Sequence, residues 1–223
     1  MTETRQFVVY GNGSVARLVY NELTYNSPHE VVAFCVDKEY VADTLIFGLP
    51  VVPFEDITTL YPPDSYGMFI GVGYSKVNKI RESRYLEAKA LGYSFTNIIA
   101  KTVISYPCLK LGENCLIGNY TVIYPDVTIG NNVLVGAACT LDHDLILGDH
   151  CFLSDQVAIS GFVKVMPNCF LGTSATVRNK VMIGRESIIG AATSIMEDVE
   201  ERSVYLCDAS RKLGVSSDRL RIV

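Results

Sequence analysis

From Leu109 to Asp198 the chain divides into sixes without an insertion, fifteen hexads running from LKLGEN, CLIGNY, TVIYPD and VTIGNN to SIIGAA and TSIMED. The third residue of every hexad, Leu111 through Ile195, is Leu, Ile or Val. The first is small or β-branched in most, the fourth is Gly in eight, and the last two are mainly Asn, Asp, Ala, Gly, Pro or charged. Alternate residues of a strand share a face, so positions one and three point the same way, and the Gly/Asn/Asp positions supply turn backbone. A short strand and a corner therefore repeat every six residues. Such a unit cannot bury its inner face alone, and units must stack into a solenoid cored by the aliphatic column. The two sixes before Leu109, NIIAKT and VISYPC, read as a partial coil.

Residues 1–96 follow a different rhythm. Gln6–Tyr10 reads as a buried parallel strand, GNGSVAR opens a helix running to about Leu23, and VVAFCVD over 31–37 is a second strand. YGMFIGVG over 66–73 is a further strand, followed by a helix over 75–92 in which Val77, Ile80, Leu86, Ala88 and Leu91 recur at helical spacing. Strands alternating with helices predict a small Rossmann-like parallel sheet. The expected organisation is an α/β domain over 1–96, a parallel β-helix over 97–198, and a charged segment over 199–223 packing on the last coil as a short helix.

Composition removes several functions. A net charge of −5 without a Lys/Arg-rich run gives no surface for nucleic acid. The N-terminus has no apolar stretch of signal-peptide length, and no segment approaches the roughly 18 apolar residues of a membrane span; a cytoplasmic protein is expected. Seven cysteines, an odd number with no C-x-x-C pair, read as reduced and mostly buried thiols acting as small hydrophobes.

Two loops are suited to a phosphate ligand. Gly11-Asn12-Gly13-Ser14-Val15-Ala16 fits G-x-G-x-x-A between a strand and a helix, and Asp37 ends the next strand. Fewer than 100 residues precede the coils, too few for both halves of a dinucleotide fold but enough for one nucleotide. Backbone N–H groups at Gly11 to Ser14 would cradle a diphosphate, with Asp37 accepting from a ribose or base; the same glycines also suit a plain tight turn. Gly71-Val72-Gly73-Tyr74-Ser75-Lys76 likewise follows a strand, so Tyr74, Lys76 and Asn78 are candidates to face the same ligand, while Ser75 equally suits a helix N-cap.

The histidines are His29, His143 and His150. His143 takes the fifth place of its hexad, an outward corner beside Asp144, and a coil of three hexads would stack it between Pro125 and Gly161. The glycine leaves an opening with exposed N–H where a thioester arm would fit. An imidazole there has the pKa for accepting the proton of an attacking amine, and Asp144 would fix its tautomer; a solvated corner pair is the plain alternative. A γ-type carbonic anhydrase needs three zinc histidines, and the coils hold two.

A short glycine-loop domain followed directly by hexads carrying His143-Asp144 and then Ile-Ser-Gly-Phe-Val-Lys-Val resembles, over nearly the whole chain, the hexapeptide-repeat bacterial sugar N-acyltransferases that make bacillosamine and other acetamido-deoxy sugars, grouped with the sialic-acid O-acetyltransferase-like proteins. The resemblance implies a left-handed triangular prism of five full coils, usually trimeric, using acetyl-CoA as co-substrate and no metal. It implies His143 as general base oriented by Asp144, pantetheine contacts around Gly161, Phe162, Gly172 and Thr173, and a sugar nucleotide held by Gly11, Asn12, Gly13, Ser14, Asp37, Tyr74 and Lys76, with acyl-CoA between adjacent subunits. The expected reaction is N-acetylation of a nucleotide-linked amino-deoxy sugar, a dTDP- or UDP-4-amino-4,6-dideoxyhexose, for surface glycan synthesis, with O-acetylation of a sugar as the alternative. Two positions depart from the family's pattern: Phe152 stands where a second histidine is frequent, and Cys207-Asp208-Ala209-Ser210-Arg211-Lys212 replaces a terminal G-x-P-A-[KR] turn.

Overall fold

The six-residue period builds a stack of two-residue strands, seen in a computed structural model that describes residues 4–42, 44–210 and 212. Each strand pairs in parallel with the strand one coil on: Leu116–Ile117 with Leu134–Val135, Thr140–Leu141 with Ala158–Ile159, Ile146–Leu147 with Lys164–Val165. Three sheets of seven, six and five strands result, so three hexads close one turn of a prism. The first face begins at Ile98–Ile99 and the second at Ile104–Ser105, inside the sixes that precede Leu109. Position three fills the interior with Ile117, Leu141, Ile159 and Val177. Position one adds Val133, Val157 and the thiols of Cys115, Cys139, Cys151 and Cys169, and each fully buried aliphatic side chain is worth about 1.5–3 kcal/mol.

The corners divide their work differently from the sequence expectation. The left-handed backbone falls on position six of every hexad from Asn114 (φ 55°) to Ala192 (φ 56°) and is borne by Asn, Asp, Tyr, Ala, Ser, His, Gln, Phe, Lys and Glu. No glycine of the coils has positive φ among the described residues. Glycine at position four meets a different demand: a Cβ on Gly118 would lie 2.6 Å from the Gly136 carbonyl carbon one coil up, far inside contact distance. The glycine column lets stacked backbones approach; the turn is made by whatever residue follows two places on. Gly118→Ala should therefore destabilise the fold by about 1–3 kcal/mol through overpacking, while Ala138→Gly, which relieves a left-handed alanine at φ 55°, should be neutral or stabilise by up to about 1 kcal/mol; urea titrations of the two variants check the pair.

The N-terminal part is a mixed sheet. β1 (Gln6–Tyr10), α1 (Ser14–Asn26), β2 (Glu30–Val36), β3 (Leu45–Ile46), β4 (Leu49–Pro53), α2 (Ile57–Leu60), β5 (Gly67–Ile70), α3 (Lys79–Ala90) and β6 (Ser94–Phe95) follow in order. The strands lie as β3-β4-β2-β1-β5-β6, parallel except for the β3–β4 hairpin. The helix expected over 75–92 starts at Lys79, because Lys76, Val77 and Asn78 all adopt left-handed backbone (φ 51°, 51° and 63°). Its buried face also differs. Arg81, Tyr85 and Ala88 go inward, Tyr85 and Ala88 into an apolar cluster with Phe54, Met68 and Ile70 of the sheet layer and Arg81 onto the edge of the coils, whereas Leu86 and Leu91 are exposed.

Two kinds of contact seat this layer on the prism. On the first face the outward side chains Ile98, Leu116 and Leu134 are buried in one apolar cluster with Ala16, Val19 and Leu23 of α1. At the edge between the third and first faces, Asn114, Asn132, His150 and Asn168 are buried at position six. Asn114 Oδ1 accepts from Ile70 N at 2.9 Å, its Nδ2 donates to Asn132 Oδ1 at 2.8 Å, and Asn132 Nδ2 lies 2.9 Å from His150 Nδ1. From α3, Arg81 Nη2 donates to the carbonyls of His150 (2.6 Å) and Cys151 (3.0 Å), and Asn78 Nδ2 to those of Asn168 (3.2 Å) and Cys169 (3.0 Å). Burial with no carboxylate beside it pushes the Arg81 guanidinium down to about 10, still charged at neutral pH.

His150 makes this seam sensitive to acid. Burial holds its pKa below the ordinary 6.5, against the opposing pull of Glu82 and Asp149, with Arg81 and Lys79 adding to the depression. Unfolding then takes up a proton, so the stability His150 contributes is intact above about 6.5 and is lost as pH falls through its folded value. His150→Asn, which fits a corner already built from asparagines, should flatten the slope of melting temperature against pH below about 6.5, as measured by thermal unfolding in a pH series.

The last turn is shorter. Ile183 bridges Val199 and Ile188 pairs with Val204, sixteen residues on in each case rather than eighteen. Residues 199–206 thus continue two faces, and the helix expected in 199–223 is not formed over 199–210; 211 and 213–223 lie outside the described residues. Among the described residues no helix is long and apolar enough to cross a membrane.

Candidate active site

His143 sits at the corner where the second face ends, and its side chain points out of the prism, 46% exposed. The left-handed backbone at Asp144 (φ 57°) belongs to every position six and turns this carboxylate back toward the ring. Nδ1 and Asp144 Oδ2 are 2.9 Å apart, and Asp142 Oδ1 accepts from the His143 main-chain N at 2.8 Å while lying 4.0 Å from Nε2. The bond to Asp144, helped by Asp142, holds the imidazole above its ordinary 6.5. With Nδ1–H donating to the carboxylate, the Nε2 lone pair is the basic one and faces outward.

Gly161 lies directly against this ring. A Cβ there would be 2.6 Å from His143 Cε1 and 2.7 Å from Nε2, so the room left by the missing side chain is taken by the imidazole itself and not by an open slot. Phe162 N donates to the His143 carbonyl at 3.0 Å, and the Phe162 ring meets the imidazole edge-on at 5.0 Å. Phe162 itself is half exposed. Together they form a one-sided wall: a base with its free nitrogen outward, a carboxylate behind, an aromatic beside.

The loops at the carboxyl ends of the strands divide into two clefts flanking the start of α1. Gly11 (φ 116°) is fixed by packing, since a Cβ would fall 2.8 Å from the Gly71 carbonyl oxygen. Gly13, the N-cap of α1, has open space where a Cβ would be, and Ser14 beside it is exposed, leaving the helix terminus accessible to an anion. Asn12 Nδ2 reaches the Tyr40 carbonyl at 3.5 Å. On one side Asp37, Tyr40, Lys76, Lys79, Ser83 and Arg84 line a polar cleft. Asp37 is held there by Tyr10 Oη (2.6 Å) and Arg84 Nη2 (2.7 Å), one on each carboxylate oxygen. On the other side Val15, Leu18, Tyr74, Leu134, Phe152 and Thr173 line an apolar pocket.

Tyr74 and Lys76, two residues apart, therefore serve different clefts. Tyr74 packs on Phe152 (5.2 Å) and Phe170 (4.7 Å), and Asn78 faces neither cleft because it is buried against the coil carbonyls. Gly172 and Thr173 follow the first-face strand Phe170–Leu171, while His143 and Gly161 follow second-face strands. Within one chain these stand on different edges of the prism, and the pocket that contains Thr173 and Tyr74 includes neither His143 nor Gly161. Among the described residues no three His, Cys, Asp or Glu side chains converge as a metal cluster.

The clamp of Tyr10 and Arg84 on Asp37 and the seam residues Asn78 and Arg81 escape a motif search. A periodic signal for the seam is present: Asn114, Asn132 and Asn168 fall in one corner column at multiples of eighteen, with His150 completing it.

Residues 109–143 match the bacterial transferase hexapeptide (six repeats) family. No curated protein matches the chain. Among solved structures it is similar to PerB from Caulobacter crescentus, in complex with CoA and GDP-perosamine, at 27% identity and TM-score 0.80, covering 89% of this chain and 92% of that one. It is similar in fold to the acetyltransferase domain of PglB from Neisseria gonorrhoeae (24% identity, 90% and 95% covered, TM-score 0.79) and to WeeI from Acinetobacter baumannii (19%, 91% and 96%, 0.77). Repeat, stacking and likeness converge on the fold: a left-handed parallel β-helix, in which residues 109–143 match bacterial transferase hexapeptide repeats, preceded by a small Rossmann-like sheet.

Proposed function

We propose that this protein is an acetyl-CoA-dependent N-acetyltransferase acting on a nucleotide-linked amino-deoxy sugar. The observation that carries the reading is His143: outward, paired through Nδ1 with Asp144 and lying flush on Gly161. PerB, solved with CoA and GDP-perosamine, supports the two ligand classes. The acceptor is a 4-amino-4,6-dideoxyhexose linked to dTDP or UDP, made for a surface glycan such as O-antigen in the cytoplasm. Its diphosphate rests on the open N-terminus at Gly13 and Ser14, with the nucleoside toward Asp37 and Lys76.

In the reaction the sugar amine attacks the thioester carbonyl, forming an N–C bond and a tetrahedral oxyanion. His143 Nε2 accepts the amine proton, and Asp144 stabilises the imidazolium. Collapse breaks the C–S bond, and the proton passes to the departing thiolate to give CoA. Gly161, Phe162, Gly172 and Thr173 line the pantetheine path. Because His143 and the glycine loop stand on different edges of one prism, a second copy must bring its His143 corner to the sugar, which supports a homotrimer with sites between subunits.

His143→Asn should lower turnover by about 10²-fold or more while dTDP or UDP binding is unchanged, measured by acetyl-CoA consumption on a panel of dTDP-, UDP- and GDP-linked amino sugars and by calorimetry. Near wild-type turnover removes His143 from the chemistry; turnover with hydroxyl acceptors alone replaces N-transfer by O-transfer. The raised imidazole also sets a pH dependence. The base is lost to protonation as pH falls, so kcat/KM should decline below a midpoint above 6.5, and Asp144→Asn should move that midpoint downward.

A further inference from the structure

The apolar pocket beside α1 is more hydrophobic than a sugar site requires. Val15, Leu18, Tyr74, Leu134 and Phe152 form its walls, and polar groups come from one rim, where Ser154, Asp155 and Thr173 stand. Its first wall residue, Val15, directly follows Ser14 at the mouth of the helix, so it is continuous with the proposed diphosphate seat. The other cleft flanking that seat carries Asp37, Tyr40, Lys76 and Arg84, and its charged and hydroxyl groups suit a nucleoside. A diphosphate between the two clefts sends the nucleoside into the polar one and the hexose into the apolar one. A hydroxymethyl group directed at the Val15, Leu134 and Phe152 wall, away from the polar rim, would lose water with no partner on that wall to replace it; a methyl group would be buried favourably.

We infer that this pocket reads the deoxygenated edge of the acceptor, and that Val15, Leu134 and Phe152 make the protein selective for a 6-deoxyhexose over its 6-hydroxylated counterpart. The inference rests on the function proposed above and adds the residues that set its specificity. Tyr74 closes the pocket by packing across Phe152 and Phe170, holding the wall in one shape. Asp155 Oδ1 is engaged by Ala137 N at 2.7 Å, which leaves Oδ2 at the rim to receive a hydroxyl or ammonium proton from the same sugar.

The test is equilibrium binding, without acetyl-CoA, of a dTDP- or UDP-linked 4-amino-4,6-dideoxyhexose and its 6-hydroxy counterpart, followed by kcat/KM for both. The wild type should favour the 6-deoxy sugar by about 10-fold or more, the scale of methyl recognition in an apolar pocket. Val15→Ser, which adds a hydroxyl on the second residue of the helix, and Phe152→His, which keeps a ring against Tyr74, should each reduce the preference to about 3-fold or less. Equal binding of the two sugars by the wild type, or an unchanged ratio in both variants, overturns the inference while leaving N-acetyl transfer standing. A change in acyl-chain preference without a change in sugar preference assigns the pocket to the thioester and also overturns it. If neither nucleotide sugar binds, the functional reading falls with it.

Discussion

Everything in this molecule is referred to the backbone ladder that joins each residue of the coils to the one eighteen places on. The ladder demands close approach of stacked corners, which excludes a Cβ at Gly118, Gly136 and Gly172, and it makes each corner turn through a left-handed residue at position six. Once those two conditions are met, direction follows. Positions one and three must enter the core, and the corner residues must leave it, so His143 projects outward with its carboxylate partner already aimed at Nδ1. The catalytic geometry proposed here is a by-product of corner geometry; no separate loop has to be folded to hold it.

The second constraint is the seam. α1 rests on apolar side chains of the first face, but α3 is tied by amide and guanidinium groups to carbonyls that the strand ladder leaves free at His150 and Asn168. This polar attachment accounts for the irregular start of α3. Three successive left-handed residues, one of them the β-branched Val77, cost on the order of 1–3 kcal/mol each, and Asn78 and Arg81 offset that by anchoring the turn from below. The strain is spent where it positions something: the same turn carries Tyr74 to one cleft and Lys76 to the other.

The coils were legible because their pattern is local and relentless. An aliphatic residue on one column fixes which side chains are inside, and the register alone puts His143 on a corner with Gly161 one coil on. What the glycines do was misread, since composition cannot distinguish a residue chosen for its φ from one chosen for its missing Cβ. The face of α3 was misread for a related reason: Leu86 and Leu91 suggest an apolar stripe, but the helix turns Tyr85 and Ala88 to the sheet and Arg81 to the asparagine-lined edge of the coils, a long-range fact. An eighteen-residue reading finds more than a six-residue one does. Ile98, Leu116, Leu134, Phe152, Phe170 and Ile188 occupy position two of every third hexad, a stripe that marks the face on which the N-terminal layer and its pocket are built. The clamp on Asp37 joins Tyr10 and Arg84 from distant segments, and no spacing rule reaches it.

A solenoid of identical rungs has an open end, and an open end is a template for another copy of the same rung. Here the final turn omits two residues between Ile195 and Val199, so the uppermost triangle is smaller than those below it. A strand from a second molecule could match one side of that triangle, but its next corner would arrive out of step with the following side. A copy stacking on residues 199–206 would meet that step in perimeter, a mismatch that works against continuation of the ladder.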